Sequence, residues 1–153
     1  MNIVATQYDL KTKTLEIYVA GCSGNPHCPG CHNPSTWDFN AGVPCDDKFV
    51  ESVARKVVLF QSLVENVAVL GGEPNDNNHT ELKWLLKSLR TLGLPLWLYT
   101  RYTLDEVPDF EKELCDYIKC GRYDAALKTD NNIQYGIKLA TSNQAIYKRG
   151  VDY

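Results

Sequence analysis

Three of the six cysteines lie close together in the chain and are its best candidates for binding a metal. Cys22, Cys28 and Cys31 fall in the segment CSGNPHCPGC, with the spacing C-x5-C-x2-C. Thiolates are ligands for zinc and for iron–sulfur clusters, and short spacing keeps the entropy cost of gathering them small. In a reducing compartment, such a group indicates a metal centre more often than a disulfide. Residues 22–31, here called the cysteine loop, are therefore predicted to hold a metal centre.

The ligand set in this loop numbers three, which leaves two interpretations of the centre. A structural zinc site takes four ligands, and His27 or His32 is a candidate for the fourth. A cubane iron–sulfur cluster also takes four, so three cysteines would leave one iron open for redox chemistry on a bound ligand. The spacing alone does not decide between them. The other three cysteines are predicted to be small buried residues without a role at the centre: Cys45, Cys115 and Cys120.

A glycine turn is the second candidate binding site. The apolar run Asn66–Leu70 is predicted to be a buried strand, and it ends in the sequence GGEP at residues 71–74. Two glycines leave backbone carbonyls unobstructed, so this turn can accept hydrogen bonds from a ligand ammonium group, and Glu73 adds charge. In a parallel sheet the strand ends at Ala20, Leu70 and Thr100 share one edge. We therefore expect the cysteine loop, the glycine turn and residues 100–102 to surround one cavity.

Hydrophobic periodicity predicts the elements that position these residues. Strands alternate with helices, which indicates an α/β fold. Residues 1–153 are expected to form a single domain, as an open parallel sheet with helices outside or as an incomplete TIM-like barrel. Asp46 or Asp47 is predicted to cap the first helix, and Asn78 with Glu81 the second. The predicted strands are Ile3–Tyr8, Thr14–Ala20, Asn66–Leu70, Leu96–Thr100 and Ile118–Tyr123; the predicted helices are Asp47–Leu63, Thr80–Leu92 and Phe110–Tyr117; and Gly21–Pro44 is predicted to be a long loop.

Composition excludes several classes of protein. With 153 residues, of which 44% are hydrophobic, the chain has apolar material for one packed core. The three tryptophans, Trp37, Trp84 and Trp97, are by default predicted to be packing residues, and Trp37, just past the cysteine loop, is also a candidate for lining the site. Lys and Arg number 16 and Asp and Glu 19, so the net charge of −3 gives no electrostatic footprint for nucleic acid. No run approaches 18 apolar residues, and Met1–Leu10 is not a secretory signal, so we expect neither a membrane span nor export.

Four motifs occur in the order found in a known family: GCSGNPHCPGCHNPSTWDF, LGGEP, WLYTRYTLDEV and SNQ near the C-terminus. On these motifs the chain resembles the activating proteins of anaerobic ribonucleoside-triphosphate reductase, which are small radical S-adenosylmethionine enzymes. The match runs from roughly Ile17 to Gln144. The chain departs from the family in the cysteine loop, where five residues instead of three separate Cys22 from Cys28.

The resemblance implies a cofactor for each site. Cys22, Cys28 and Cys31 would hold a 4Fe–4S cluster, and the amino and carboxylate groups of S-adenosylmethionine would chelate its fourth iron. An electron delivered to the cluster would cleave the sulfonium C–S bond, and the 5′-deoxyadenosyl radical would remove a hydrogen from a glycine of the partner reductase. The residues expected to bind the S-adenosylmethionine are Gly71, Gly72, Glu73 and Thr100.

The resemblance also implies the partners. They are the glycyl-radical subunit of the anaerobic reductase and a low-potential electron donor such as flavodoxin, in an oxygen-free cytoplasm. Arg101 and the turn Ser142–Gln144 are candidates for docking the target loop. Two alternatives stay open: a zinc-stabilised binding module without catalysis, and a radical activase of another glycyl-radical enzyme.

Overall fold

A computed structural model describes residues 1–153, and a seven-stranded sheet forms its centre. The sheet has the strand order β3-β1-β2-β4-β5-β6-β9, and β7 and β8 form a separate hairpin. The strands are β1 Asn2–Asp9, β2 Thr14–Val19, β3 Val43–Pro44, β4 Asn66–Gly71, β5 Leu96–Tyr99, β6 Tyr117–Cys120, β7 Ile133–Gln134, β8 Ile137–Lys138 and β9 Ala145–Lys148, and the helices are α1 Asp47–Leu59, α2 His79–Arg90 and α3 Asp109–Leu114.

The sheet is mixed, with a parallel centre and antiparallel edges. Strands β2, β4, β5 and β6 are parallel, whereas β1, β3 and β9 pair antiparallel with their neighbours. The short turn between β1 and β2 permits only antiparallel pairing, because a parallel connection needs a longer crossover. The edge strands β3 and β9 do not pair with each other, so the open α/β sheet is confirmed but is not wholly parallel. The likeness to an incomplete TIM barrel stays a prediction.

The helices cover one face of the sheet. The main core cluster joins residues of β2, β4, β5 and β6 to the inner stripes of α1 and α2, including Val53, Leu82 and Leu85. On the opposite face a second cluster of Ala68, Leu70 and Trp97 is covered by Leu139 and Ile146 from the C-terminal part of the chain. Because no helix packs there, this second face is free to form a cavity at the strand ends.

Helix boundaries follow the predicted caps at their N-termini and differ at their C-termini. The Asp46 side chain accepts a hydrogen bond from Phe49 N at 2.9 Å and begins α1. The predicted extension of α1 to Leu63 is wrong: the backbone leaves the helical conformation at Phe60, and a turn then carries Val64 into the core. Asn78 caps α2 as predicted, but the expected contribution of the Glu81 side chain to this cap is wrong, because that carboxylate accepts instead from the Met1 amino group.

The last predicted helix and strand are both shorter than expected. Helix α3 ends at Leu114 instead of Tyr117, and β6 ends at Cys120 instead of Tyr123. Asp116 accounts for the early end of α3, because its backbone N–H donates to Leu96 O at 2.8 Å and its carboxylate accepts from Leu96 N at 3.0 Å. These bonds start the pairing with β5 before a further helical turn can form.

The three helices have 13, 12 and 6 residues, and none combines the length and apolar character needed to cross a membrane. The predicted loop Gly21–Pro44 contains a 3-10 turn at Pro34–Thr36 and the short edge strand β3.

We expect Leu85→Ala to lower the free energy of unfolding by about 2–5 kcal/mol, because Leu85 is fully buried and truncation leaves a cavity. Urea denaturation followed by circular dichroism measures this change. Leu59→Ala is the matched control, since Leu59 is 75% exposed at the end of α1, and it should change the stability by less than about 0.5 kcal/mol. Equal losses in both variants would contradict the core assignment.

Candidate metal and cofactor site

A cavity of about 280 Å³ opens at the carboxyl ends of the parallel strands. The parallel register places Val19 opposite Gly71, so the segments that follow β2 and β4 start side by side. The segments after β5 and β6 complete the wall. All seven residues that the sequence analysis assigned to the site line this cavity: Cys22, Cys28, Cys31, Gly71, Gly72, Glu73 and Thr100. Their roles toward a cofactor stay predictions.

Backbone pairing holds the start of the cysteine loop. Gly21 N donates to Thr36 O at 2.7 Å, and Cys22 N donates to Trp37 O at 3.1 Å. All three cysteines of the loop are free thiols of intermediate exposure, and burial is the main cause that raises the pKa of Cys22. Asn33 N lies 3.5 Å from Cys31 Sγ and donates to it. Thiols with backbone N–H donors around an open cavity fit the ligand chemistry of an iron–sulfur cluster.

The three cysteines line the cavity without forming a compact ligand group. No group of three or more His, Cys, Asp or Glu side chains has the arrangement of a single-ion site. Both candidate histidine ligands make other contacts. His27 Nε2 lies 3.0 Å from the Cys22 carbonyl oxygen, and its ring stacks on Trp37 at 3.9 Å. His32 lies edge-on to Tyr123, with 5.7 Å between ring centroids.

Trp37 lines the cavity, as its position just past the cysteine loop suggested, although packing was the default prediction for it. It lies six residues after Cys31, on the segment that pairs with the start of the cysteine loop.

The glycine turn packs directly against the residue before the cysteine loop. A Cβ atom on Gly72 would lie 2.2 Å from Gly21 O. Gly71 has φ +120°, and a Cβ atom there would lie 2.7 Å from Val19 N, so only glycine fits both positions without displacing backbone. Glu73 N also donates to Gly21 O at 2.7 Å, while the Gly72 carbonyl accepts no hydrogen bond from the protein. This free carbonyl at the cavity suits an ammonium donor.

Glu73 is 1% exposed and connects the ends of β4 and β5. Its Oε1 accepts from Thr100 Oγ1 at 2.7 Å, and its Oε2 accepts from Arg101 N at 2.7 Å. Burial raises the pKa of Glu73 to about 6, against the opposing effect of these hydrogen bonds. Both carboxylate oxygens therefore already have donors within the protein, so Glu73 is less free to pair with a ligand than its place in the motif suggested.

Asp76 joins the cysteine loop to the end of β5, a role that no sequence motif indicated. It accepts hydrogen bonds from Arg101 Nη2 at 2.9 Å, from Tyr102 Oη at 2.7 Å and from Ser23 N at 2.6 Å. Burial acts to raise the pKa of Asp76, but these donors together lower it. Arg101 is thus paired with an acid and is less free to dock a target loop than the sequence suggested.

Two further polar residues line the cavity near the end of β6. Lys119 is half-buried, its Nζ donates to Gly121 O at 3.2 Å, and burial lowers its pKa to about 8. Gln144 is 5% exposed and bridges Gly121 O and Ala140 N at 3.2 Å each. The SNQ motif had already indicated Gln144. Lys119 was missed because it lies within strand β6 and belongs to no motif.

Glu111 lies behind this wall on α3 and is 0% exposed. Its Oε2 accepts a hydrogen bond at 3.0 Å from Asn75 Nδ2, which also lies 3.4 Å from Thr100 Oγ1. Burial raises the pKa of Glu111 to about 8. The buried Glu111 carboxyl group therefore holds the side chain of Asn75, the residue that follows the glycine turn.

These geometric features agree with a family match. Residues 12–147 match the family described as a 4Fe-4S single cluster domain, and the chain belongs to this family. The chain is 27% identical over 137 residues to the anaerobic ribonucleoside-triphosphate reductase-activating protein of Escherichia coli (strain K12), covering 86% of this chain and 85% of that protein. The protein of the same name from Haemophilus influenzae is 28% identical over 105 residues, 67% of this chain and 66% of that protein.

A relative with a different name shares a shorter part of the chain. The 7-carboxy-7-deazaguanine synthase of Pyrobaculum aerophilum is 38% identical over 77 residues, which is 50% of this chain and 32% of that protein. The resemblance to reductase-activating proteins drawn from the motifs is confirmed, because proteins of that name match most of the chain.

We expect Glu111→Gln to flatten the pH dependence of stability. The folded-state pKa of about 8 lies above the ordinary value of 4.5, so the stabilisation is complete below about pH 4.5 and is lost as the pH rises through 8. The wild-type free energy of unfolding should therefore fall across this interval, by an amount on the order of 1 kcal/mol per pH unit, more steeply than that of the variant. Urea denaturation at pH 5, 6, 7 and 8 gives both slopes, and parallel slopes would contradict the assignment. Glu113→Gln, at an exposed position of the same helix, is the control that should keep the wild-type slope.

Proposed function

We propose that this chain is a radical S-adenosylmethionine activase that installs a glycyl radical on anaerobic ribonucleoside-triphosphate reductase. The observation that carries the proposal is one cavity that combines three free thiols with the unpartnered Gly72 carbonyl. The names of the relatives that cover most of the chain supply the target. Residues 1–153 would act as a single activase domain.

The donor set supports a 4Fe–4S cluster held by Cys22, Cys28 and Cys31. Each of the three thiolates would bind a different iron of the cube, so the ligands need not meet at one ion, and the fourth iron would stay open for a bound ligand. The contacts of His27 and His32 with the Cys22 carbonyl and with Tyr123 disfavour a zinc site that recruits either imidazole. The family description also favours the cluster over zinc.

The glycine turn supports S-adenosylmethionine as the second cofactor. The free carbonyl of Gly72 can accept a hydrogen bond from its amino group, and Gly71, Glu73 and Thr100 hold that carbonyl in position. When bound together, the two cofactors supply one-electron cleavage of a sulfonium carbon–sulfur bond and removal of a hydrogen atom from glycine.

The protein residues would orient the cofactors and limit access of water. Asp76 ties Ser23 of the cysteine loop to Arg101, so the cluster ligands and the glycine turn keep a fixed separation. The cavity is open on one side, and the docked reductase would close it, because a carbon-centred radical has to be shielded from solvent. A low-potential donor such as flavodoxin would supply the electron, and the oxygen sensitivity of the reaction favours a cytoplasmic setting.

We expect replacement of Cys22, Cys28 or Cys31 by Ala to abolish S-adenosylmethionine cleavage, because the remaining two thiols cannot retain the cluster. The measurements are 5′-deoxyadenosine formed after dithionite reduction and iron and acid-labile sulfide per chain. Cys45→Ala is the matched control, since Cys45 lies outside the cavity, and it should keep full iron content and activity. Normal turnover by Cys28→Ala would refute the ligand assignment, and a colourless wild type that contains zinc would refute the cluster.

We expect a glycyl radical on the reductase when both proteins are mixed anaerobically with S-adenosylmethionine and a reductant. Electron paramagnetic resonance detects the radical, and replacing the target glycine by alanine should remove the signal. Mixtures without S-adenosylmethionine, or with the Cys28→Ala variant, should also give none. Cofactor cleavage by the wild type without any radical on this reductase would separate the radical chemistry from the proposed target.

A further inference from the structure

Three large aromatic rings line the cavity, and two of them are already packed against other groups. Trp37 carries the His27 ring on one face, with 3.9 Å between centroids and 11° between planes. Tyr99 packs against the second core cluster on the sheet. Tyr123 belongs to neither core cluster, and its hydroxyl group makes no hydrogen bond with the protein. It is therefore the ring whose surface is most available to a ligand.

Tyr123 lies beside the turn that carries two of the cysteines. A Cβ atom on Gly30 would lie 3.5 Å from Tyr123 Cε1, an ordinary van der Waals distance, so the ring lies directly beside this turn. Gly30 stands between Cys28 and Cys31, whose backbones are joined by a hydrogen bond of 3.0 Å. The Tyr123 ring thus borders the part of the cavity where the cluster ligands lie.

The residue before Tyr123 is anchored on both sides. Arg122 Nη2 donates to Pro26 O at 2.5 Å, which ties this segment to the cysteine loop. Asn143 Nδ2 donates to Arg122 O at 2.8 Å, which ties it to the turn before β9. The His32 ring meets Tyr123 at 71°, edge to face. The ring is therefore held in place at the cavity wall without being buried in a core.

From this placement we infer that Tyr123 stacks on the adenine base of the nucleoside bound in the cavity. The inference rests on the proposed function and adds a residue for the part of the cofactor that the glycine turn does not explain. The amino-acid end of the cofactor is charged and matches the Gly72 carbonyl, whereas a purine is flat and binds well to aromatic and apolar surface. Ile137 and Leu139 line the same cavity and extend its apolar wall.

The test is the affinity of the oxidised, cluster-loaded protein for three ligands, measured by anaerobic titration calorimetry. They are S-adenosylmethionine, 5′-deoxyadenosine and methionine. In Tyr123→Leu we expect the dissociation constants of the two adenine ligands to rise about tenfold and that of methionine to stay unchanged, because only the base loses its stacking partner. Tyr123→Phe keeps the ring and is the matched control, which should bind all three like the wild type.

Iron content and circular dichroism establish that the variants are loaded and folded before titration. Adenine ligands that bind Tyr123→Leu as tightly as the wild type would overturn the inference. An equal loss of methionine affinity would overturn it too, because the residue would then be shaping the cavity as a whole. If the wild type binds S-adenosylmethionine and Tyr123→Leu binds it equally well, only this contact is contradicted. If the wild type binds no adenine ligand, the proposed function is contradicted as well.

Discussion

The contact between two backbone turns, at Gly21 and Gly72, is the constraint on which the site depends. The Gly72 Cα lies so near the Gly21 carbonyl that no side chain fits, and Glu73 N donates to the same oxygen. This contact fixes the glycine turn against Gly21, the residue that precedes the CSGNPHCPGC segment. The parallel pairing of β2 with β4 makes it possible, because it brings both strand ends to the same level. A ligand that bridges thiols and a free carbonyl needs this spacing before it binds.

Buried charge reinforces that spacing. Glu73 and Asp76 are acids on the segment after β4, and each receives donors from the segment after β5, at Thr100, Arg101 and Tyr102. Removing one partner of such a network leaves an uncompensated polar group, which costs more than the bond itself contributes. The strand ends are thus connected by side chains as well as by the sheet. Lys119 adds a positive group to the cavity that the three cysteines line, and their thiolates would be negatively charged when they hold the proposed cluster.

The one-sided arrangement of helices explains where the cavity lies. Helices α1 and α2 fill the main core, and the second face receives only the C-terminal segment with Leu139 and Ile146. That thin cover leaves the carboxyl ends of the parallel strands accessible from outside. An opening of this kind suits a substrate that is itself a protein segment. The same openness means that aromatic residues at the wall, such as Tyr123, keep surface for a ligand.

Sequence patterns predicted the central elements and the seven candidate residues that line the cavity. Hydrophobic periodicity predicted the four parallel strands and the starts of α1 and α2, because local capping by Asp46 and Asn78 depends on near neighbours. The seven candidate residues were found for the same reason: each belongs to a short motif that follows a strand. Patterns of this kind predicted too long an α1, since periodic apolar residues after Phe60 serve a turn as well as a helix.

Tertiary structure alone decided the antiparallel pairing of the edge strands β3 and β9, the place of Lys119 in the cavity wall, and the pairing of Asp76 with Ser23 and Arg101. These features join positions that are far apart in the chain. Periodicity and motif spacing report only on neighbours along the sequence, whereas the burial that shifts the pKa of Glu111 or Lys119 exists only after distant segments pack together.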